Sequence, residues 1–576
     1  MYFNIKIKCH FSYLVYYISI ETNMNRKHFI RMGGTALGAL FFTKYAGAFT
    51  PAHQLVHLPN SVFVKLDNGL HKLQSSSNNT WTYHDITVKL NYEGNALRAE
   101  VHSPKDALHS VQLEWNVKTS ASSLVLNDAF ERTYGDVHFQ HPTAEVWSPW
   151  YYIAHDSKGN TFCQGVKTGS NTMCFWQIKE NAIRLVMDTT TGGTGVNLGD
   201  RVLHCADIVA TKNKPDENTF SIAHRFCGMM CPNPRLPKQP VYGINDWYFA
   251  YGNSSYDLII QHTTLLADLA TNTSNRPFSV VDDGWSAYTN KEKGYRNDYS
   301  QPNDKFKDMH KLADNIKQLG MRPGLWTRPL SAKNNTYDKL LAPTIRGRDD
   351  VNQPTLDPTI EENLDYIKSN IALYKQWGFE MVKHDYSSYD IFSRWGVNMK
   401  DELTIPGWHF NDNTKTNAEI ILTLYRAIRE AAGDMYLIGC NTMSHLSAGL
   451  FELNRIGDDT SGTEWDRTRK MGVNTLGFRM VHHNKFYAAD GDCVGVTSKV
   501  PWDKNKQWMQ LLAESSAPLF ISAQPDALGA AQKQFIKQCF TSASNVQPIG
   551  EPLDWLTNQW PAKWKLDGKV KEFDWS

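Results

Sequence analysis

The sequence predicts an α/β fold: a (β/α)8 TIM barrel preceded by an N-terminal antiparallel β-sandwich and followed by a short C-terminal β appendage. Three observations carry this. Up to about residue 235, short alternating runs rich in β-branched and aromatic residues are divided by Gly, Asn and Asp. Examples are Asp85-Ile86-Thr87-Val88-Lys89-Leu90 and Ala182-Ile183-Arg184-Leu185-Val186-Met187. Past a join punctuated by Pro232, Pro234, Pro237 and Pro240, helical patterns alternate with short apolar strands. Eight such strands can be counted over about 300 residues, the number a (β/α)8 barrel needs. A doubly wound open sheet is the alternative, but no Gly-rich phosphate loop follows any strand.

The 576 residues accordingly divide into an extension with a signal peptide (1–48), a sandwich (49–235), a barrel (236–545) and a β segment (546–576). Met24–Ile30 is basic, Met32–Phe42 is small and apolar, and Ala46-Gly47-Ala48 is an A-x-A processing site. That succession is a secretory leader too short to span a membrane, predicting a periplasmic or secreted protein. Residues 1–23 read as an upstream extension ahead of a second start. Outside the leader and extension lie eight cysteines, expected as buried thiols or one or two disulfides. Cys227 and Cys231 have no second pair or His cluster to complete a zinc site, and no metal is expected.

No long amphipathic helix is expected to interrupt the sandwich. In the barrel, one helix is predicted to open at Asp357-Pro358, with Ile360, Leu364, Ile367, Ile371 and Tyr374 on one face, and to stop at Gly378. Another opens on the capping box Thr416/Glu419 and runs to Gly433. A third carries Met309, Leu312, Ile316 and Leu319 to Gly320. The predicted strands are Val241–Trp247, Phe278–Asp282, Arg322–Trp326, Glu380–Asp385, Tyr436–Cys440, Glu452–Ile456, Phe486–Ala489 and Pro518–Ser522.

Composition narrows the function. With 60 Lys+Arg against 59 Asp+Glu, the net charge of +1 argues against nucleic acid. A hydrophobic share of 41% and a charged share of 21% are those of a folded chain. The 18 Trp, 25 Tyr and 26 Phe suit sugar faces, although most must be core.

The predicted strand ends are strongly polar. They read Asn245-Asp246-Trp247, Asp282-Asp283-Gly284-Trp285, Trp326-Thr327-Arg328, Lys383-His384-Asp385, Cys440-Asn441, Gly457-Asp458-Asp459 and Asp490-Gly491-Asp492. Barrel chemistry collects at such ends, and so many carboxylates repel one another unless a ligand or cation offsets them. Several carboxylates, a Lys, an Arg and aromatics without a cofactor motif suit glycoside hydrolysis, in which two carboxyls flank the scissile bond. A two-metal site would call for more histidines than His384. A Schiff-base role for Lys383 is disfavoured by Asp385 two residues on. As structural alternatives, Asp283 before Gly284 could be a turn residue, Asp458 or Asp466 a helix cap, and Trp326 barrel core.

Taken in order, the Trp at the first strand end, Asp282-Asp283-Gly284-Trp285, Lys383-x-Asp385, Arg455-x-x-x-Asp459 and Asp490-x-Asp492 form a recognisable series. From Asn245 to about Ala523 the chain resembles the α-galactosidase (melibiase) clan of retaining glycoside hydrolases, clan D. The leading β-sandwich is like the melibiase branch common in bacteria. The resemblance implies Asp385 as nucleophile and Asp459 as acid/base, with Arg455 close to substrate. It implies that Asp282 and Asp283 hold the O4 and O6 hydroxyls and that Lys383 binds hydroxyls. Trp247 and Trp326 would line the pocket, and Asp492 would contact the ring near O2. Asp458 would cap the next helix or orient Arg455. No cofactor is implied, and the partner is an oligosaccharide or glycan, with no membrane contact once the leader is removed.

The chain departs from the pattern at His384, where members carry Tyr or Trp, and at Cys440-Asn441-Thr442, where the O2 reader is usually acidic or Ser-rich. The departures leave open an α-N-acetylgalactosaminidase, a β-L-arabinopyranosidase or a galactosyl transferase of the raffinose-synthase kind. A non-catalytic carbohydrate-binding protein is the rival from another class, disfavoured by the intact Asp385 and Asp459.

Overall fold

The computed structural model describes residues 55–119, 122–142, 145–288, 297–332 and 355–576, with the backbone at Lys6–Ile7, Ile18–Ser19 and Leu340–Leu341. The expected leader and its processing site lie outside the described residues.

The first half is built from two antiparallel sheets, one of eight strands and one of six. Alternation in the sequence explains their packing: Val62, Val64 and Leu66 of Ser61–Leu66 are buried, as are Ile86, Val88 and Leu90 of Ile86–Glu93. The expectation of no long amphipathic helix here is corrected by α1 (Thr219–Met230), capped by the Asn218 side chain, which accepts a hydrogen bond from the Ser221 N–H. Phe220, Ile222, Ala223, Phe226, Cys227 and Met230 make its buried stripe. That spacing is helical, but its aromatic and β-branched members also suit strands.

The second half holds an all-parallel sheet of nine strands. They are β1 (Tyr242–Asn245), β2 (Phe278–Val281), β3 (Arg322–Thr327), β4 (Met381–His384), β5 (Tyr436–Gly439), β6 (Leu453–Arg455), β7 (Ala488–Asp490), β8 (Cys493–Val496) and β9 (Leu519–Ala523). Their spatial order is β7-β6-β5-β4-β3-β2-β1-β9-β8. The two edge strands are thus neighbours in the chain, separated only by Gly491 and Asp492. Three Cα–Cα steps span at most about 11 Å, so the sheet curls until its edges approach. Asp492 makes the break with a left-handed backbone, φ 71°. Each of the eight predicted strands overlaps one of these nine, and β8 is a strand the sequence did not predict.

Helices alternate with these strands: α2 (Tyr256–Ala267), α3 (Met309–Gln318), α4 (Glu361–Gln376), α5 (Asn417–Ala432), α6 (Trp502–Glu514) and α7 (Ala530–Ala543). The capping box of α5 is present, and Gly433 ends that helix at φ 59°. The start of α4 is corrected. Asp357 does not cap it; its carboxylate accepts from Thr359 N–H and hydroxyl in a preceding turn, and the helix begins at Glu361. A Pro at 358 keeps Asp357 extended, so the helix starts later. The last residues form a three-stranded sheet with Trp564 and Trp575 buried beneath it.

All eight described cysteines are free and buried, so the disulfide alternative is not realised among them. No helix of the described residues is long and apolar enough to cross a membrane.

The two halves interlock. Arg479 and Asp128, both buried, form an ion pair at 2.7 Å. Thr133 of the sandwich lies beside Gly457 as a parallel β-bridge, its N–H donating to Ile456 O at 2.9 Å and its carbonyl accepting from Asp458 N–H at 2.9 Å.

Candidate active site

The C-terminal ends of adjacent strands bring most of the sequence-predicted residues together. Because side chains alternate along β4, Lys383 faces Asp282 while His384 turns outward between Tyr425 and Phe451. Burial lowers His384 to a pKa of about 3, keeping its ring neutral. The Lys383 ammonium lies 2.7 Å from Asp282 Oδ2, which also accepts from Asn245 Nδ2 at 2.7 Å. Burial opposes the ammonium, but Asp282 outweighs it and holds Lys383 well above its ordinary pKa. Asp282 Oδ1 in turn accepts from Asp283 N–H at 2.9 Å.

Asp283 is both a turn residue and a wall of the mouth. Its Oδ1 accepts from Gly284 N–H at 2.8 Å, and burial followed by repulsion from Asp282 pushes its pKa up to about 6. Gly284 takes φ 112°, and a Cβ there would lie 2.5 Å from Gly252 O. Asp246 lies beneath this pair; its Oδ1 accepts from Asp282 N–H at 2.8 Å, and burial and Asp282 raise it to about 7.

Asp385 follows β4 and is held from three sides. Its N–H donates to Thr327 O, its Oδ1 accepts from Tyr386 N–H at 2.7 Å, and its Oδ2 accepts from Trp326 Nε1 at 3.1 Å. Trp326 is therefore buried and still touches the candidate nucleophile. Tyr386 adopts φ 64° to turn the chain directly after it. Burial raises the Asp385 carboxyl, while Arg132 and Lys383 pull it back and Asp459 pushes it further up.

Asp459 lies beyond β6. Its Oδ1 is 3.3 Å from Arg455 and 3.8 Å from Arg132, and its side chain keeps 39% exposure, open to a ligand. Burial would raise it, but Arg455, Arg132, Lys383 and Arg467 more than offset this and leave it below the ordinary range. Arg455 is fully enclosed, held by Asp492 at 3.0 Å and close to Cys440 Sγ at 3.6 Å.

The structure places three predicted binding residues under the mouth and not on its surface. Asp492 Oδ2 accepts from Thr460 N–H, Thr460 hydroxyl, Tyr248 hydroxyl and Arg455. Asn441 gives its amide N–H to Glu131 and accepts from Tyr389 N–H at 3.1 Å. Cys440 is buried between the guanidinium groups of Arg455 and Arg132. Trp247, at the end of β1, is partly buried, its ring 5.8 Å from that of Tyr251. Asp458 neither caps a helix nor touches Arg455; it pairs with Arg132 at 2.7 Å and Arg467 at 2.9 Å. Asp466 sits in the first turn of a short helix and pairs with Arg469 and Lys470.

Several residues at the mouth were not predicted. Arg328 makes a two-pronged pair with Asp390 and lies over the Tyr386 ring at 4.4 Å. Tyr389 and Trp395 stack at 4.4 Å beside it. Glu131 and Arg132 arrive from the sandwich. Only Arg328 adjoined a predicted strand end and could have been singled out from that position.

No protein-family model matches the sequence. Solved structures share the fold. An α-galactosidase from Thermus thermophilus, in complex with p-nitrophenyl α-D-galactopyranoside, is 16% identical at a TM-score of 0.58, over 89% of this chain and 99% of its own. A variant of the GH36 α-galactosidase AgaA from Geobacillus stearothermophilus, in complex with raffinose, is 14% identical at 0.57, over 94% and 84%. An α-galactosidase from Lactobacillus brevis is 14% identical at 0.57, over 84% and 72%. The chain thus has the fold of α-galactosidases, the group its strand-end motifs resemble.

Proposed function

We propose that the protein is a retaining, exo-acting glycoside hydrolase that removes terminal α-linked galactose from oligosaccharides or glycans. The observation that carries this is the pairing of Asp385, fixed by Trp326 and Tyr386, with the partly exposed Asp459, fixed by Arg455. The likeness to α-galactosidases solved with an aryl galactoside, stachyose and raffinose supports it. The parallel sheet is read as a (β/α)8 barrel closed through a seventh strand broken at Gly491-Asp492.

Asp385 attacks the anomeric carbon while Asp459 protonates the leaving oxygen. Water then hydrolyses the glycosyl-enzyme with Asp459 as base. The Trp326 and Tyr386 N–H groups hold the nucleophile in one orientation before substrate arrives, lowering the cost of reaching the reactive geometry. Asp283 and the Lys383–Asp282 pair present acceptors and a donor to sugar hydroxyls. Asp492 supports Arg455, and Asn441 supports the segment after β4. Burial shifts the Asp385 carboxyl upward while the surrounding cations hold Asp459 down, both in the direction opposite to what the first step needs.

Export through residues 24–48 belongs to the same reading, which places the enzyme where extracellular or periplasmic glycans are met. The test is a panel of nitrophenyl glycosides, with the first-formed anomer followed by NMR. Release from the α-galactoside with α-galactose formed first is expected; activity on none of the panel, or β-galactose first, refutes it.

A further inference from the structure

The sandwich reaches the site described above through a short segment, residues 131–134, whose role no strand-end motif explains. Glu131 is completely buried. It accepts hydrogen bonds from the hydroxyls of Ser388 and Tyr134, from the Asn441 amide and, at 2.6 Å, from Gly396 N–H. Those donors lie on the segment after β4, the segment after β5 and the sandwich itself. Thr133 pairs with Gly457, so the segment lies like an added strand along the continuation of β6. Its Oγ1 donates a further hydrogen bond to Ile456 O at 3.1 Å.

Between these two anchors stands Arg132, 7% exposed in its side chain. One terminal nitrogen lies 2.7 Å from Asp458 Oδ1, and the other lies 3.8 Å from Asp459 Oδ1 and 3.9 Å from Cys440 Sγ. Its guanidinium plane sits over Trp395 at 5.4 Å and Tyr134 at 6.0 Å. A buried Arg with carboxylates on one side and aromatic faces on the other has little freedom to move, and its planar fork keeps its charge at any working pH.

We infer that Arg132 is a positioning residue of the candidate active site, lent by the β-sandwich, which fixes the charge and placement of Asp459 and so makes the sandwich part of the catalytic unit. The inference rests on the functional reading for its consequence in catalysis, but not for the electrostatics. Asp459 is faced by Arg455 from β6, Arg132 from the sandwich, Lys383 from β4 and Arg467 from the following helix. Against them stand Asp385, and the phenols of Tyr248 and Tyr386 also feel Asp459. Arg132 is also the cation that most offsets the burial of Asp385. It is therefore a cation supplied from outside the parallel sheet and its connections that acts on both candidate catalytic carboxylates.

The test uses the full chain with aspartate carboxyl carbons labelled by 13C, titrated by NMR in the wild type, Arg132→Met and Arg132→Lys. An opposite charge at this range moves a carboxyl by about one unit or more. Arg132→Met is expected to raise the Asp459 titration by about one unit, and Arg132→Lys to leave it near wild type. The limbs of the kcat/KM–pH profile on an aryl α-galactoside should move upward with it in Arg132→Met. An unchanged titration in Arg132→Met, or equal shifts in Met and Lys, overturns the inference. Should Arg132→Met fail to fold, Arg132→Gln keeps a hydrogen bond to Asp458 without the charge and is read the same way. Absence of hydrolysis in the wild type would sink the functional reading, while the titration would still decide the role of Arg132.

Discussion

The Lys383–Asp282 pair offers the sharpest test of how the floor of the site is held, because its partners are unequal. Lys383 and Asp282 meet at 2.7 Å with side-chain exposures of 11% and 4%. Removing one partner of a buried pair costs about 3–5 kcal/mol, mostly by stranding the other charge. Lys383→Met leaves Asp282 with two donors, Asn245 Nδ2 and Asp283 N–H, so its cost should fall near the low end, about 3 kcal/mol. Asp282→Asn strands the ammonium, which has no second carboxylate at ion-pair distance among the described residues. Its cost should be the larger, about 4–5 kcal/mol unless Lys383 gives up its proton.

The double variant removes both charges and should recover about 2–3 kcal/mol of the summed loss. At roughly 2 °C per kcal/mol, the singles should melt about 6 and 9 °C below wild type, with the double well above their sum. Thermal melts by circular dichroism, with scan rate varied to check reversibility, measure this without any substrate. Additive losses, or Lys383→Met worse than Asp282→Asn, would refute the reasoning.

Gly284→Ala places a Cβ 2.5 Å from Gly252 O in a left-handed backbone, and should cost about 1–3 kcal/mol and displace Asp283; a melt and a KM on aryl galactoside check it. Trp326→Phe removes the N–H that favours ionised Asp385, so the Asp385 carboxyl should titrate higher. The acid limb of kcat/KM, which needs ionised Asp385, should then shift to higher pH. Asp459→Ala should spare glycosyl-enzyme formation from an activated aryl α-galactoside, with azide restoring turnover as the α-galactosyl azide. Asp385→Ala should abolish turnover, with azide rescue giving the β-azide, and product NMR separates the two. If Asp458→Ala and not Asp459→Ala shows the α-azide, the acid/base assignment is off by one residue.

Much of this was legible in the sequence because it is local. Strand positions came from short apolar runs, and α5 from a capping box whose two partners are three residues apart. What stayed hidden has two physical causes. Asp357-Pro358 satisfies the pattern of a helix start, but Asp357 Oδ2 also accepts from Asn411 N–H, a tertiary contact that holds a turn there. The support of the site is nonlocal: Arg132 meets Cys440 across 308 positions, and Glu131 meets Asn441 across 310. Nothing in Phe130-Glu131-Arg132-Thr133-Tyr134 distinguishes it from a solvated loop. Strand β8 was missed because Asp490-Gly491-Asp492 reads as a polar strand end, with a helix and not a second strand expected after it.

The same nonlocal contact bears on the two adjacent aspartates after β6. Alternation alone sends Asp458 and Asp459 to opposite sides only while the strand continues. It does continue in effect, because Thr133 pairs with Gly457 and holds Ile456 through Asp458 as ladder. Asp458 is thereby turned into the fork between Arg132 and Arg467, where both its oxygens are taken. Asp459 is left beside Arg455 with the greater exposure, 39% against 16%. A proton donor must reach a ligand, and Asp458 has both oxygens engaged at 2.7 and 2.9 Å while Asp459 keeps the larger exposure. On the proposed reading, the segment that supplies Arg132 therefore also bears on its neighbours: one aspartate anchors the arginine and the other stays open to act as the acid/base.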